Sequence, residues 1–350
     1  MNIKLTVSRL STIAVATLLS VGAAQFAAPS NGQAAACPTS ITACGCTISS
    51  GTLGTPYSIA NDLVFAPTTG DCIDISASFV ELGGNGHTIT GPGNGTGTVG
   101  IHVLSGAQFV IVVNAIATGF GTGVQMDGKE PIVASMTSDA NGVGFLINGP
   151  AALVLGATAE TNLFAGFKIS PTAGGATLVD ADSIGNTVGF KIVRVSGTSL
   201  YQDVASDNAA FGIWLNGAYD STITGFVAQD NTVAGVYLGC NPAGPTGVPC
   251  PAGTPASGEN VIQADLYHGA GSEAVVSPTG PSKQRYGVAI DRGNLRNRIF
   301  EVTGAGNTIF DAIDENPSCG TNSWGGLDFS NVFTTVSPTA AATGNPVCIH

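Results

Sequence analysis

The sequence contains little charge. Asp, Glu, Lys and Arg make up 10% of its 350 residues, and 11 basic residues face 23 acidic ones, for a net charge of −12. This scarcity of basic residues excludes a nucleic-acid partner, because neutralising phosphates needs clustered Lys and Arg. No segment after Ala24 offers about 18 continuous apolar residues, so no stable membrane span is expected. The sequence also lacks Gly-x-Ser-x-Gly, His-Glu-x-x-His and a phosphate loop, which removes the enzyme classes that these motifs mark.

The N-terminal residues 1–36 have the pattern of an export signal and leader. Lys4 and Arg9 form a basic start, and Ser11–Ala24 is a short apolar stretch rich in Ala, Leu and Val. A cleavage site is expected within 23–36. The sequence therefore predicts a secreted or periplasmic protein.

Eight cysteines follow the apolar stretch, and an even count in an exported chain favours disulfides. We expect Cys240 to pair with Cys250 and Cys319 with Cys348. The four N-terminal cysteines allow three pairings, of which Cys37 with Cys44 and Cys46 with Cys72 is preferred. Zinc is the alternative for this group, but Cys44-x-Cys46 lacks the usual two-residue ligand spacing.

A glycine followed by an apolar, variable, apolar triplet recurs through the chain. The spacings are 23, 21, 22, 23, 23, 23 and then 52 residues, and the glycines are Gly100, Gly123, Gly144, Gly166, Gly189, Gly212, Gly235 and Gly287. Such a period is typical of a solenoid, and the alternation predicts a strand with one face inward. A second apolar site, about twelve residues before most of these glycines, predicts another strand at Ile111, Ile132, Val154, Leu200 and Ile223.

A coil of 22–23 residues that is rich in β-branched residues and interrupted by Gly disfavours helices. The sequence therefore predicts an all-β, single-stranded right-handed parallel β-helix. We expect a disulfide-containing N-terminal cap at 37–80 and a β-helix at 81–313 with insertions near 240–258 and 277–285. A C-terminal cap or tail follows at 314–350, where Trp324, Phe329 and Phe333 would cover the open end.

The stretch Val80-Glu81-Leu82-Gly83-Gly84-Asn85-Gly86-His87-Thr88-Ile89-Thr90-Gly91 is the most specific motif. It resembles the entry coil of secreted right-handed β-helix repeat proteins, a group that includes the NosD-like and pectate-lyase-like families. The resemblance implies the fold and an extracytoplasmic setting. It implies no particular activity, because function depends on a site rather than on a fold.

Stacking the coils predicts an outward row of triplet centres and an acidic row before the glycines. From the outward row we predict ligand contacts at His102, Lys168, Lys191, Trp214 and Tyr237. The alternative for Trp214 and Tyr237 is that they cover apolar surface or pack under the loop between Cys240 and Cys250. The acidic row comprises Asp139, Glu160, Asp182, Asp207 and Asp230. Solvated turns are the favoured interpretation of this row, with Asn141, Asn162, Asn186, Asn208 and Asn231 as turn residues. The alternative is calcium at Asp182, Asp207 and Asp230.

Two functions fit these patterns. The first is interaction with an acidic polysaccharide, as a lyase or epimerase in which Lys191 and Arg194 act with bound calcium. Hydrolysis of the polygalacturonase type is disfavoured, since no adjacent Asp pair or Gly-His-Gly stands in the coils. The alternative is a non-catalytic adhesion, structural or accessory module. No cofactor is required by either, and a monomer is expected.

Overall fold

The computed structural model describes residues 35–52, 54, 56–245, 250, 255–264, 274–276, 279, 284–316, 321–326, 328–329 and 332–334. Within this part of the chain every regular element is a strand, and the strands form three parallel sheets. The chain winds through about 11 turns of a parallel β-helix, as the sequence predicts. The described residues contain no helix that is long and apolar enough to cross a bilayer.

Sheet A has 13 strands and contains the predicted glycine-led triplets. Its first and third triplet positions point into the β-helix, and the middle position points out. Its strands are Ala35–Ala36, Cys46–Ile48, Thr69–Ile75, Gly97–Val103, Thr122–Met126, Val143–Ile147, Ala165–Ile169, Val188–Val193, Phe211–Asn216, Ala234–Leu238, Tyr286–Ile290, Phe310–Asp314 and Val332–Thr334.

Sheet B has 12 strands and corresponds to the second predicted apolar site. The prediction is one residue out in two coils, because Val112 and Val133, rather than Ile111 and Ile132, are the inward residues. Its strands are Ser40–Ile41, Tyr57–Ile59, Glu81–Gly83, Ile111–Val113, Ile132–Ala134, Leu153–Leu155, Thr177–Val179, Ser199–Tyr201, Thr222–Thr224, Val261–Gln263, Arg298–Phe300 and Ser323–Gly325.

Sheet C has 11 strands and follows sheet B after a turn of about two residues in most coils. It closes the third side of the β-helix. Its strands are Leu63–Val64, Thr88–Thr90, Ile116–Thr118, Thr137–Asp139, Thr158–Glu160, Asp182–Ile184, Val204–Ser206, Val227–Gln229, Ala274–Val275, Val302–Gly304 and Asp328–Phe329. Strands of all three sheets thus also lie within the predicted caps at 37–80 and 314–350.

The interior is a set of stacked columns of like side chains. Phe145, Phe167 and Phe190 stack in consecutive coils with ring centroids 4.8 and 4.9 Å apart. This spacing repeats the distance between neighbouring strands, so each coil presents the same apolar surface to the next. Trp324 is also buried and packs near Phe329, whereas Phe333 has no described side chain.

The five predicted turn asparagines form a buried ladder. Residues just before them adopt positive φ, among them Ala140, Thr161 and Asp207, while the asparagines point inward. The backbone N–H of each of the first four donates to the side-chain oxygen of the asparagine one coil later, at distances from 2.8 to 3.1 Å, and that of the fifth donates to Gln284 Oε1 at 3.1 Å. The members are Asn141, Asn162, Asn186, Asn208 and Asn231. Hydrogen bonding between coils, not turn conformation, is therefore what these side chains provide.

The preferred pairing of the N-terminal cysteines is wrong. Cys37 pairs with Cys46 and Cys44 with Cys72. The reason is the register between coils, since Cys37 N–H donates to Thr47 and Gly45 N–H donates to Cys72.

The bridge between Cys240 and Cys250 is present as expected. Cys319 and Cys348 lie outside the described residues, as do positions 1–34 of the predicted leader.

Candidate functional site

The outward side chains at the middle of the sheet A strands lie in register from coil to coil. We call this series the outer row. The strand pairing matches the predicted row and extends it to one earlier coil. Its members are Asp74, His102, Gln125, Leu146, Lys168, Lys191, Trp214, Tyr237 and Ala289.

His102 is held between two carboxylates. Its Nδ1 lies 2.8 Å from Oδ2 of Asp71, and its Nε2 lies 2.8 Å from Oδ2 of Asp127. Asp127 also accepts hydrogen bonds from Gln125 at 2.9 Å and Asn148 at 2.6 Å. Since each ring nitrogen faces a carboxylate oxygen, the protonated imidazolium is the form that suits this geometry.

The contacts of His102 with Asp71 and Asp127 favour the charged form of all three side chains. Burial disfavours a charged ring, but the hydrogen bonds to Asp71 and Asp127 outweigh it and raise the pKa of His102 to about 8. Burial also opposes ionisation of the two partners, yet their hydrogen bonds to His102 hold the pKa of each below the ordinary value. The result is an imidazolium with two ionised carboxylates.

Asp74 lies beside this trio and behaves differently. Burial first, and then the hydrogen bond with Asp71 and its negative charge, raise the pKa of Asp74 to about 6. Its Oδ1 is buried, has no hydrogen-bond partner among the described residues and lies 3.9 Å from Nδ1 of His102. The side chain as a whole is 23% exposed, so its remaining atoms reach the surface. We call Asp71, Asp74, His102 and Asp127 the Asp–His cluster.

The two ion pairs of His102 leave no ring nitrogen free to bind a cation in the Asp–His cluster. Ligand atoms of Asp71, Asp74 and His102 lie within 4.8 Å of one another. A metal would need a free nitrogen on His102, and both nitrogens are engaged by carboxylates. The other described group of this kind includes Cys240 and Cys250, whose sulfurs are bonded to each other.

The raised pKa of His102 predicts a stability that falls at alkaline pH. The imidazolium contribution is full below the ordinary value of 6.5 and is lost as the pH rises through about 8. Over this window the wild type should lose about 2 kcal/mol more than His102→Gln, because other carboxyls with raised pKa, such as Asp291, contribute to the loss in both proteins. Urea melts at about pH 6 and about pH 9 measure the difference.

A matched control for this measurement is His87→Gln. His87 pairs with Asp62 at 3.2 Å, but its side chain is 32% and that of Asp62 73% exposed. This variant should retain the alkaline loss. An equal loss in His102→Gln would show that another group causes it.

Lys168 and Lys191 lie next to each other in the outer row. Their residues pair across consecutive strands of sheet A, and both side chains are half-buried. Burial, and then the charge of Lys168, lower the pKa of Lys191. Neither ammonium has a carboxylate within 4.0 Å in the described part of the chain. Two uncompensated cations thus stand side by side on a protein of net charge −12.

Trp214 and Tyr237 are not exposed ligand contacts, and the alternative interpretation, in which they are covered, is confirmed. Trp214 is 5% and Tyr237 0% exposed, because both belong to a second apolar cluster outside the β-helix, together with Phe211 and Tyr286. The indole N–H donates to the Gly239 carbonyl at 2.6 Å. The face of the Trp214 ring contacts a cation, since Lys191 Nζ lies over it at 4.5 Å from the ring centroid.

The segment after sheet A covers Tyr237. Asn241 N–H donates to the Tyr237 hydroxyl at 3.3 Å, and that hydroxyl donates to Asp291. A Cβ placed on Gly244 would lie 2.7 Å from Val233, which packs against the same apolar cluster. Residues 239–245 therefore cover these aromatic rings, which are structural.

The five acidic residues predicted to form a row do not lie in register from coil to coil. Asp139 pairs with Glu160, but Asp182 pairs with Thr158 two residues earlier, and Asp207 lies in a turn at positive φ. In the coil of Asp182, the loop before the sheet B strand Thr177–Val179 is two residues longer than the loop before Leu153–Leu155 in the preceding coil. The longer loop shifts the register. The calcium candidates Asp182, Asp207 and Asp230 consequently form no ligand group among the described residues.

Arg194, the partner predicted for Lys191, lies just after its strand, at positive φ and exposed. It is outside the outer row. The carboxylates that do surround a titratable side chain, Asp71 and Asp127, were missed. They lie 31 residues before and 25 residues after His102. Neither separation matches the repeat of 22–23 residues, so the regular period does not indicate that these carboxylates meet His102.

No protein-family model matches the chain, and no curated protein matches it. Among solved structures it is similar to pectate lyase Pel9A, with 15% identity, a TM-score of 0.44 and coverage of 85% of this chain and 70% of that one. The periplasmic alginate epimerase AlgG has 11% identity to the chain and a TM-score of 0.42, with coverage of 83% of this chain and 66% of that one. DFA-IIIase from Arthrobacter chlorophenolicus A6 without its lid has 11% identity and a TM-score of 0.47, with coverage of 80% of this chain and 75% of that one. These likenesses concern the β-helix fold.

Proposed function

We propose that the chain is an exported protein that binds an acidic polysaccharide lengthwise along the outer row. The observation that carries the proposal is the pair Lys168 and Lys191, half-buried and without a carboxylate partner among the described residues. Two adjacent desolvated cations repel each other and favour a bound anion. The surrounding negative charge makes this pair the point to which an anionic group would be drawn.

The regular spacing of the outer row indicates an extended ligand with repeated groups. Equivalent positions repeat about every 4.8 Å along the β-helix axis, so an extended polymer with regularly repeated groups can make the same contacts in successive coils. Carboxylate or sulfate groups on such a polymer would meet the ammonium groups of Lys168 and Lys191. An acidic polysaccharide has both properties.

Export is supported by the leader pattern at 1–36 and by three disulfides, which persist in oxidising compartments. The binding requires no cofactor. Calcium is a proposed addition that could bridge the polymer and the acidic surface, and millimolar calcium against a chelator tests it by calorimetry. Lyase or epimerase chemistry at Lys191 and Arg194 has little support, because Arg194 lies outside the row.

Replacing both lysines tests the proposal. Lys168→Gln with Lys191→Gln should weaken binding to immobilised polygalacturonate or alginate by at least about ten-fold, because two direct charge contacts are lost. The remaining binding should also depend less on salt. Affinity chromatography with salt elution, supported by calorimetry, measures both effects.

Lys129→Gln is the matched control, since Lys129 is 54% exposed and already paired with Glu130 at 3.2 Å. It removes the same charge from another part of the surface and should leave retention unchanged. Equal loss in the control would indicate attraction by net charge alone. Unchanged retention of the double variant would overturn the proposal.

A further inference from the structure

The disulfide between Cys240 and Cys250 lies beside a buried carboxyl. One carboxylate oxygen of Asp291 and the two sulfurs all lie within 4.8 Å of one another. Asp291 and Cys240 come just after neighbouring strands of sheet A, which places them next to each other. A Cβ on Gly239 would lie 2.5 Å from Oδ2 of Asp291. Glycine at this position therefore leaves the space that the carboxyl occupies against the bridge.

The fold uses one of the two oxygens of Asp291. Oδ2 accepts a hydrogen bond from the Tyr237 hydroxyl. Oδ1 is buried and has no hydrogen-bond partner among the described residues, and the side chain as a whole is 0% exposed. An asparagine could accept the same hydrogen bond without placing an ionisable group in the interior. A buried carboxyl with one unpaired oxygen therefore indicates a further role, and the sulfurs of the bridge lie next to it.

Reduction of the bridge would supply the donor that this oxygen lacks. A reduced cysteine carries an S–H group that donates a hydrogen bond, whereas a disulfide has no donor. Each sulfur freed from the bridge can rotate about its own Cα–Cβ bond, and such a rotation can turn it toward Asp291. The reduced protein thus satisfies a polar atom that the oxidised protein leaves unpaired.

We propose that Cys240, Cys250 and Asp291 form a site of reversible thiol–disulfide exchange with dithiols, in which Asp291 gives a proton to the sulfur that leaves. Both cysteines are half-buried, so an incoming thiolate can reach the bridge. A general acid acts within hydrogen-bond reach of the atom that gains the proton. The position of Asp291 beside both sulfurs allows this once one of them is free. The inference is independent of the proposed function, because no step involves the lysine pair or a polysaccharide.

The reaction balances with a dithiol as the only co-reactant. One thiol of the dithiol loses its proton to solvent and attacks a sulfur of the bridge, so a mixed disulfide forms as the bond between Cys240 and Cys250 breaks. The other cysteine sulfur leaves with the electron pair of that bond and takes the proton of Asp291. The second thiol of the dithiol, also deprotonated, attacks the mixed disulfide and releases the first cysteine, so two electrons pass from the dithiol to the bridge. Asp291 and the second cysteine regain from solvent the two protons that the dithiol lost.

The surroundings of Asp291 keep its proton available near neutral pH. Burial raises the pKa of Asp291, the Tyr237 hydrogen bond opposes this, and the neighbouring Glu315 raises the pKa further, to about 7. The titratable groups that face Asp291 are Tyr237 and the bridge from the preceding coil and Glu315 from the next. A proton donor with this pKa acts below about pH 7 and is lost above it. At a constant concentration of attacking thiolate, the rate of reduction should therefore fall as the pH rises through about 7.

The test measures how fast dithiothreitol reduces the folded protein in the presence of a metal chelator. Iodoacetamide traps the free thiols, and mass spectrometry of the peptides identifies which cysteines were reduced. Cys240 and Cys250 should be reduced at least about ten-fold faster than Cys37 and Cys46, which are buried, and oxidised dithiothreitol should restore the bridge. Asp291→Asn, which keeps an oxygen acceptor, should slow the reduction of this bridge at least about ten-fold.

Asp203→Asn is the matched control. Asp203 is also buried with one unpaired oxygen, Oδ2, while its Oδ1 accepts from the backbone N–H of Ala181 at 2.7 Å. Among the described residues it shares no group of close ligand atoms with a cysteine. The variant therefore removes the same kind of group from another part of the interior, and the rate of bridge reduction should stay unchanged.

Equal rates in wild type and Asp291→Asn, the same slowing in Asp203→Asn, or reduction of this bridge no faster than that of Cys37 and Cys46 would each overturn the inference. Should Asp291→Asn fail to fold, the wild-type pH profile at constant thiolate concentration decides. A fall in the rate through about pH 7 is expected, and a flat or rising rate contradicts a proton donor. A purely structural Asp291 would not produce this fall.

Discussion

Phe167→Ala should reduce the free energy of unfolding by about 3 to 5 kcal/mol, because it opens a cavity in the stacked interior. Phe167 is fully buried, with Phe145 and Phe190 in stacking contact on its two sides. A coil cannot collapse into this space without breaking its strand pairs to both neighbours. Denaturant melts measure the loss.

Lys168→Ala is the matched control within the same strand. Its side chain points outward, so the change should alter stability by less than about 1 kcal/mol. A loss below about 1 kcal/mol in Phe167→Ala, or a larger one in Lys168→Ala, would contradict the assignment of the two faces.

Asn186→Ala should have a similarly large effect, of about 3 to 5 kcal/mol, through polar groups rather than volume. Its side-chain oxygen accepts from the backbone N–H of Asn162 at 2.8 Å, and its Nδ2 donates to Ala159 at 2.9 Å and Ser183 at 3.0 Å. All of these groups are buried, so each would be left without a partner. The ladder would be broken in the middle of the β-helix.

The neighbouring exposed residue provides the control. Thr187 makes one hydrogen bond at the surface, to the Leu163 carbonyl, and Thr187→Ala should cost less than about 1 kcal/mol because water can replace that bond. Thermal or denaturant melts of both variants decide. Near-equal effects of Asn186→Ala and Thr187→Ala would show that the ladder contributes little to stability.

The fold was predictable because the repeat and the alternation act together. A period of 22–23 residues aligns each strand with the next, and alternation assigns the faces, so the inward position of Phe167 and the outward position of His102 followed from spacing. Alternation does not reveal whether the outer face is covered. Trp214 and Tyr237 point outward as predicted, but the loop that follows them turns back over both rings.

The Asp–His cluster was predictable only in part. His102 was identified as an outward residue, but Asp71 and Asp127 come from coils of unequal length, 31 and 25 residues away. The prediction of an acidic row was wrong for the opposite reason. It assumed a regular spacing, whereas a loop that is two residues longer moves Asp182 out of register. The side chains that meet between coils depend on the lengths of the individual loops. An average repeat period does not describe those lengths.

The most direct test of the account is a crystal structure of the protein with a bound acidic oligosaccharide long enough to cover four coils. The account predicts a sugar chain along the outer row of sheet A, with an anionic group on Lys168 and Lys191. A ligand bound to sheet B or sheet C, or one on sheet A that contacts neither lysine, would contradict it.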